Sequence, residues 1–366
     1  MHIVAFVVGA LFVAATLWDA FETLVLPRTP RRSLRLTRVF YRATWCTWMA
    51  IGRRIATTSR RERFLAVYGP LSVFLLVAVW ASALVVGFAF LQWSQRELLL
   101  NVDGAAHFSD DLYMSATTLF ALGLGDVAPK GRVGRLLVVA ETGSSLVLVS
   151  MLFSYIPIVY QSFARREVRI TMLDAWAGCP PTATEILCRV ARSGDLSRLE
   201  RLFVAWEPWC ADLLDSHLSY PAIGYFRSLH HNQSWIAALT AVLDVTALVK
   251  VGIEGLPPWS AHSSFAIARH AVVDLSHVLG VPESQLEDRL PPHELAAVRA
   301  ELEGAGLRPN RSNEADCELA ALRTSYEPYL ARLSTRLMMP CPGWRASSPG
   351  PDNWQTNPRY DGGPHF

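Results

Sequence analysis

Two long apolar stretches with almost no charge constrain this chain more than any other feature of its 366 residues. Residues 64–95 carry no charged side chain, and residues 136–164 carry a single one, Glu141. At about 1.5 Å of rise per residue, each stretch is long enough as a helix to cross a hydrocarbon core of about 30 Å. Residues 3–26 form a third apolar stretch, whose only charges, Asp19 and Glu22, lie near its end. The pattern predicts an all-α membrane protein with three transmembrane helices.

The first apolar stretch has a second interpretation, a cleaved signal peptide. Such a peptide begins with basic residues and ends at a cleavage site of small residues. No lysine or arginine precedes this stretch, and Asp19 and Glu22 lie where the cleavage site would be. We therefore expect the helix to be retained.

Arginine is concentrated on one side of the predicted membrane. Residues 27–64 contain eleven arginines and one acid, whereas residues 94–133 contain five acids and three basic residues. Because basic loops stay in the cytoplasm, the first segment is expected inside and the second outside. Arg165, Arg166 and Arg169 close the last span. The sequence thus predicts a multi-pass protein of the plasma membrane with a cytoplasmic C-terminus.

Residues 34–55, between the first two spans, have an amphipathic pattern. Apolar residues such as Trp45 and Ile51 recur at helical spacing, opposite Arg38 and Arg42. A helix at the cytoplasmic interface of the membrane fits this pattern. The alternative is a short fourth span, which would bury both arginines at a cost of several kcal/mol.

The outward loop contains a short helical pattern followed by a glycine-rich segment. Residues 111–120 would form about three turns, too few to cross a membrane but enough for a re-entrant helix. Ser109 and Asp110 mark its start. Two glycines follow, Gly123 and Gly125. Carbonyls in succession face one axis only if alternate residues adopt unusual backbone angles, which glycine does at little cost. Four such segments around an axis replace the hydration shell of a cation with oxygen atoms.

Residues 64–164 resemble the potassium channel family with two transmembrane helices and one pore loop per subunit. The family's filter signature, Thr-Val-Gly-Tyr-Gly-Asp, falls on residues 121–126, and Pro129 and Gly134-Arg135 follow at the family's spacing. The resemblance implies permeant K⁺ and, because each chain supplies one pore loop, a homotetramer. It implies an ion-binding filter made of Ala121, Leu122, Gly123, Leu124, Gly125 and Asp126.

Two filter residues depart from the family's signature. Ala121 stands where the family has a threonine whose hydroxyl helps to form the innermost ion site. Leu124 stands where the family has a tyrosine that braces the filter. Both changes are compatible with cation conduction and weaken the expected preference for K⁺, so Na⁺ remains open as a permeant ion.

Further residues are expected to support the filter. By the family's pattern Tyr113 donates a hydrogen bond to Asp126, while Thr117 and Thr118 lie in the late pore helix. Glu141, an acid inside a span, has two interpretations. It braces the pore helix or attracts cations, or it is a packing residue partnered by Thr117 or Thr118.

The last span would line the pore and contains two candidate gating positions. Gly143 is a candidate hinge, and Pro157 is expected to kink the helix. In the first span, Asp19 and Glu22 are expected to pair with the adjacent arginine-rich segment.

Helical patterns continue beyond the last span, and strand patterns are scarce. Within this part, helices are expected at 225–230 and 314–338, among others. The predicted organisation is a first helix with the interfacial helix (1–63), a pore domain (64–165), a cytoplasmic α-helical domain (166–339) and a disordered tail (340–366).

The cytoplasmic part carries no nucleotide-binding motif, and its cysteines lack zinc-ligand spacing. We expect that the protein is not an enzyme, has no cofactor and does not bind nucleic acid. The densest polar cluster includes Asp215, His217 and His231. It is either a site for an unknown cytoplasmic ligand or metal ion, or a set of helix ends around a packed core. The C-terminal half is also similar to that of an uncharacterised group of bacterial ion-channel-like proteins, a similarity that implies no function.

The sequence therefore predicts a tetrameric cation channel in a lipid bilayer, with K⁺ as the first expectation, gated through its helical domain. A weakly selective monovalent cation channel is one alternative. A non-conducting membrane sensor or scaffold with a degenerate pore loop is the other.

Overall fold

The computed structural model describes residues 2–26, 35–95, 99–101, 107–228, 233–279 and 288–346. The chain divides into two units. The first unit contains residues 1–54 and 67–160, and the second contains residues 55–66 and 161–366. The sequence predicts domain boundaries at 63/64, 165/166 and 339/340, with residues 55–63 in its first part and residues 64–66 in its pore domain; in the structure both groups of residues lie in the second unit.

Three helices are long and apolar enough to cross a membrane: α1 (His2–Leu24), α3 (Thr58–Trp93) and α5 (Gly131–Ala177). They confirm the predicted all-α membrane fold with three candidate spans. Both α3 and α5 extend beyond the first unit. Residues 58–66 of α3 and residues 161–177 of α5 belong to the second unit.

Helix α1 packs antiparallel to α3. The His2 ring nitrogen Nδ1 lies 2.9 Å from the Ser94 carbonyl oxygen, and Trp80 Nε1 donates to Asp19 Oδ2 at 2.9 Å. Between these points the two backbones approach closely at a pair of glycines. A Cβ on Gly9 would lie 2.7 Å from the Gly87 carbonyl oxygen, so a larger residue would push the helices apart.

The predicted amphipathic segment forms α2 (Leu36–Arg53). Its Trp45 is buried and its indole lies edge-on to Tyr68 of α3, with ring centroids 4.8 Å apart. Arg38 and Arg42 are exposed. Helix α2 is not among the described helices that are apolar enough to span a membrane.

A short helix and a pair of short strands lie between α3 and α5. Helix α4 (Phe108–Leu119) begins three residues before the predicted start, and Asp110 Oδ2 accepts a hydrogen bond from the His107 backbone N–H at 2.8 Å. Strands β1 (Leu99–Asn101) and β2 (Val127–Pro129) pair antiparallel, with Leu100 opposite Ala128. The pairing of β2 with β1 fixes the backbone directly after Asp126.

The second unit is a helical domain built around one buried helix. Its helices are α6 (Ala183–Arg192), α7 (Ser197–Ser219), α8 (Trp235–Val251), α9 (His262–Val278), α10 (Pro292–Gly304), α11 (Asn313–Thr324) and α12 (Glu327–Leu337), with 3₁₀ turns at Pro221–Tyr225 and Pro258–Ala261. Every residue of α8 except Lys250 is buried, as expected for a helix that is apolar on all sides.

Residues 223–228 bind the ends of both long helices within the second unit. The Ile223 and Phe226 carbonyls accept hydrogen bonds from Arg166 of α5 at 3.2 and 2.8 Å. The Arg227 guanidinium donates to Glu62 of α3 at 2.9 Å. We call residues 223–228 the strap.

Three expectations for this unit differ from the structure. The helix expected at 225–230 is absent where the structure describes it: a 3₁₀ turn ends at Tyr225, and residues 229–232 lie outside the described part. The helix expected at 314–338 is two helices, α11 and α12, because Ser325 and Tyr326 between them are not helical.

The third difference concerns the tail expected to start at residue 340. Trp344 is fully buried, and its carbonyl accepts a hydrogen bond from the Thr184 hydroxyl at 2.7 Å. Residues 340–346 are therefore part of the packed domain, and residues 347–366 lie outside the described part.

Candidate functional site

The filter segment, residues 121–126, follows α4 without a linker. The Leu122 backbone N–H donates to the Thr117 carbonyl at 2.8 Å, and the Ala121 N–H donates to the Thr118 carbonyl at 3.1 Å. These bonds close the last turn of α4 and fix the direction in which the chain leaves it. Thr117 and Thr118 thus contact the filter segment through their backbone carbonyls.

Alternate residues of the filter segment adopt a left-handed backbone. The φ angles are +54° at Ala121, +60° at Gly123 and +81° at Gly125. Leu122 and Leu124, between them, do not have positive φ. This alternation is the backbone expected of carbonyls in succession that face one axis. The left-handed conformation of Ala121 carries a steric cost of about 1–2 kcal/mol, because in this conformation the Cβ of an L-residue lies too close to the following carbonyl oxygen.

The filter segment is exposed on the isolated chain. Leu122 is 59% exposed and Leu124 is 63% exposed. No heavy atom lies within 4 Å of the position that a Cβ would take on Gly123 or Gly125. The chain therefore presents this backbone outward rather than packing it into its own core.

Tyr113 and Asp126 come together as the sequence indicated. The two side chains are joined by a hydrogen bond between the Tyr113 hydroxyl and the Asp126 carboxylate. The bond links α4 to the residue that ends the filter segment and precedes β2.

Glu141 lies behind α4, but its partners differ from those expected. The Ser115 hydroxyl of α4 bonds to Glu141 Oε1, and Gln92 Nε2 of α3 donates to Glu141 Oε2 at 3.1 Å. Thr117, one of the two expected partners, instead donates its hydroxyl to the Met114 carbonyl at 3.0 Å. Ser115 and Gln92 were missed by sequence reasoning. Their signal is weak, since each is a single neutral polar residue in a mostly apolar helix.

The two acids of α1 have different partners. Glu22 forms an ion pair with Arg35 at 3.3 Å, as the sequence predicted. Asp19 accepts from the Thr37 hydroxyl at 2.6 Å and from the Trp80 indole, so its expected arginine partner is wrong. Asp19 also accepts from the Thr37 backbone N–H, and it therefore caps the start of α2.

The two candidate gating positions lie in one unbroken helix. Gly143 is exposed and borders an apolar groove of about 400 Å³ between α1 and α5. Pro157 lies inside α5, which is helical from Gly131 to Ala177.

The proposed cluster of Asp215, His217 and His231 is not assembled in the described residues. Asp215 is exposed, whereas His217 is buried against Trp235 and lies 3.2 Å from Arg166 through its Nε2. His231 lies outside the described residues. Across the described part of the chain, no group of three or more His, Cys, Asp or Glu side chains is placed to hold a metal ion.

Comparison with known proteins finds similarity to an ion channel family and to a curated membrane protein. Residues 72–162 match the family described as "Ion channel". The chain is 24% identical over 193 residues to the uncharacterized membrane protein YdjJ of Bacillus subtilis (strain 168). That alignment covers 52% of this chain and 56% of the relative, so the chain spans about half the length of the relative. No solved structure matches the chain.

The match to the ion channel family covers most of α3, all of α4 and the filter segment, and the part of α5 that lies in the first unit. The relative is itself a membrane protein, in agreement with the three apolar helices. Residues 72–162 of this multi-pass membrane protein are therefore similar to the ion channel family, over the region that contains most of α3, the whole of α4 and the first part of α5.

Proposed function

We propose that four copies of this chain form a cation channel selective for K⁺, in which ions pass between the carbonyl oxygens of residues 121–124. The observation that carries the proposal is the alternation of left-handed backbone at Ala121, Gly123 and Gly125 directly after a short helix. A cation that loses its water needs closely spaced oxygen ligands, and this backbone supplies them in successive rings.

The exposed side of α5 supports an assembly. Leu136 and Val139 are each 68% exposed, and Phe153 is 77% exposed on the single chain. In the proposed tetramer α5 lines the pore, and neighbouring copies or lipid cover these side chains. The homotetramer has cyclic symmetry, with the filter on its axis.

The arginine asymmetry supports an orientation in which the second unit is cytoplasmic. Arg53, Arg54 and Arg60 lie at the end of α2 and the start of α3. The filter segment then lies at the outer side of a plasma membrane.

A weakly selective channel for monovalent cations is the second candidate. Ala121 offers a carbonyl but no hydroxyl to the innermost site. Leu124 is largely exposed and cannot donate a hydrogen bond, so it does not brace the filter segment. A ring of carbonyl oxygens that is held less rigidly discriminates less between K⁺ and Na⁺.

Purified protein in liposomes separates the candidates. We expect K⁺ flux with Na⁺ excluded, measured with each cation as the sole permeant ion. Equal flux of both ions would replace the first candidate with the second. Lack of flux in vesicles that contain correctly folded protein would contradict both and favour a sensor or scaffold.

A matched pair of variants tests whether the filter segment conducts. Gly123 and Gly131 both have left-handed φ, +60° and +69°, and both have open space where a Cβ would lie. Gly123→Ala and Gly131→Ala therefore carry similar backbone strain, about 1 kcal/mol. We expect Gly123→Ala to reduce K⁺ flux at least tenfold and Gly131→Ala to retain it. Equal reductions of K⁺ flux in the two variants would show that ions do not pass along the filter segment.

A further inference from the structure

Three helices of the first unit meet through three buried polar side chains. Gln92 of α3 is 2% exposed, and Ser115 of α4 and Glu141 of α5 are fully buried. Glu141 bonds to both of the others. We call these three residues the polar bridge.

The hydrogen atoms available to the polar bridge do not suffice if Glu141 is ionised. The Ser115 hydroxyl has one proton but two acceptors within reach, Glu141 Oε1 and the Val85 carbonyl oxygen at 2.9 Å. A carboxylate adds acceptors only, whereas a carboxylic acid adds one donor. With that proton on Glu141, Ser115 is free to donate to Val85 and accept from the acid.

The surroundings of Glu141 argue independently against a charge. Its hydrogen-bond partners from α3 and α4 are the neutral Gln92 and Ser115, and no arginine or lysine in the described ranges forms an ion pair with it. The acid nearest to Ser115 along α4 is Asp111, one turn earlier and also buried. A second acid adds no compensating positive charge. An unpaired carboxylate inside a membrane span costs several kcal/mol.

The polar bridge holds the helix from which the filter segment extends. Ser115 lies in α4 two residues before Thr117, whose carbonyl bonds to Leu122. The chain lacks the tyrosine brace of the filter, since Leu124 takes its place. The orientation of α4 about its own axis then depends on the side chains that contact it from α3 and α5. Among the described residues, the polar bridge joins α4 to both of these helices.

We propose that Glu141 is held as a neutral carboxylic acid and that Gln92, Ser115 and Glu141 act as positioning residues for α4, thereby setting the cation selectivity of the filter. The selectivity part rests on the proposed channel function. The protonation part does not, because it concerns the first unit whether or not ions pass.

Substitution by glutamine and by leucine separates a neutral acid from a carboxylate. The side-chain amide of Glu141→Gln donates and accepts as the acid does, and Glu141→Leu does neither. We expect Glu141→Gln to keep the ratio of K⁺ to Na⁺ flux within twofold of the wild-type value and Glu141→Leu to lower it at least fivefold. Thr142→Val is the matched control, because the Thr142 hydroxyl donates to the Val138 carbonyl of its own helix.

A pH profile distinguishes positioning by the acid from simple packing. Raising the pH removes the proton of Glu141 in the wild type, so the flux ratio falls in alkaline buffer. Glu141→Gln has no proton to lose there and is expected to show a flat profile. Equal profiles in the two proteins, or a wild-type ratio in Glu141→Leu, would overturn the positioning role while leaving the channel proposal intact.

Infrared spectroscopy of the full-length protein at neutral pH tests the protonation directly. We expect the carbonyl band of a buried carboxylic acid in the wild type and its loss in Glu141→Gln. If the band is the same in both proteins, the proposed neutral acid is wrong. This reading stands even if liposomes show no flux, an outcome that would refute the channel proposal separately.

Discussion

At the residue scale, the buried Arg166 of the second unit has an acid and a histidine as close partners. Arg166 is buried, pairs with Glu167 and contacts His217 Nε2 at 3.2 Å. An arginine keeps its proton, so the imidazole must offer a lone pair at Nε2 and carry its hydrogen on Nδ1. Burial, and then the charge of Arg166, hold the pKa of His217 well below its usual value.

The lowered pKa of His217 predicts that the second unit loses stability in acid. The unfolded chain accepts a proton on this histidine near its ordinary pKa of about 6.5, whereas the folded chain does not. Stability is therefore unaffected by His217 above that pH and falls as the pH drops below it. We expect His217→Gln to have a shallower decrease in melting temperature between pH 7 and 5 than the wild type.

The control for His217 is His270, which is exposed and lies beside Asp274. His270→Gln should leave the pH dependence of melting unchanged. A wild-type slope in His217→Gln would show that other groups cause the acid sensitivity.

Sequence reasoning predicted the unusual backbone at Gly123 and Gly125 but not the partners of the buried polar groups. The spacing of Gly123 and Gly125 is visible because glycine has a backbone requirement of its own. The left-handed angle of Ala121 is not visible, since alanine seldom adopts it. The partners of Glu141 and Asp19 depend on how helices pack, which one chain's periodicity does not specify.

At the element scale, α1 and α2 are joined by the carboxylate of Asp19. It accepts bonds from Thr37 at the start of α2 and from Trp80 of α3. The same acid therefore fixes three helices at one point. The long apolar helices were predictable but not their full lengths, since α5 ends thirteen residues beyond the apolar stretch 136–164. The pairing of β1 with β2 was not predictable. The two strands have three residues each, too few for an alternating pattern.

Removal of the Asp19 carboxylate is expected to loosen α2. In Asp19→Ala the buried Trp80 indole N–H and the Thr37 donors lose their acceptor, at a cost of about 1–3 kcal/mol. We expect a lower melting temperature in detergent and faster hydrogen exchange in α2. Ser150→Ala, an exposed hydroxyl that bonds its own helix at Leu146, is the control. Unchanged exchange in α2 would mean that Trp45 and its neighbours suffice to dock it.

At the scale of the whole second unit, α8 forms the centre and the chain's late residues complete its cover. Asp244 of α8 pairs with Arg289 at 2.6 Å and accepts from the Tyr326 hydroxyl at 2.7 Å. The Arg289 guanidinium also donates to the Pro342 carbonyl at 2.9 Å. Composition alone suggested disorder from residue 340 because proline and glycine are frequent there. The fixed position of Trp344 depends on distant partners, which composition does not reveal.

Two truncations test the packing of residues 340–346. A chain that ends after Met339 loses Trp344 and the Pro342 carbonyl that accepts from Arg289, whereas a chain that ends after Ala346 keeps both. We expect the first truncation to destabilise the unit by about 3 kcal/mol or more, as for a buried tryptophan, and the second to melt near the wild type. Thermal melting followed by circular dichroism measures the difference. Equal melting temperatures would contradict a structural role for this segment.

The strap has a mechanical consequence for the two helices that it binds. Arg166 and Glu62 are separated by more than a hundred positions along the chain, yet both are tethered to residues 223–228. A displacement of the strap would shift both Glu62, near the start of α3, and Arg166 of α5, because the strap is hydrogen-bonded to both. A single event in the second unit thereby acts on two helices in concert rather than on either one in isolation.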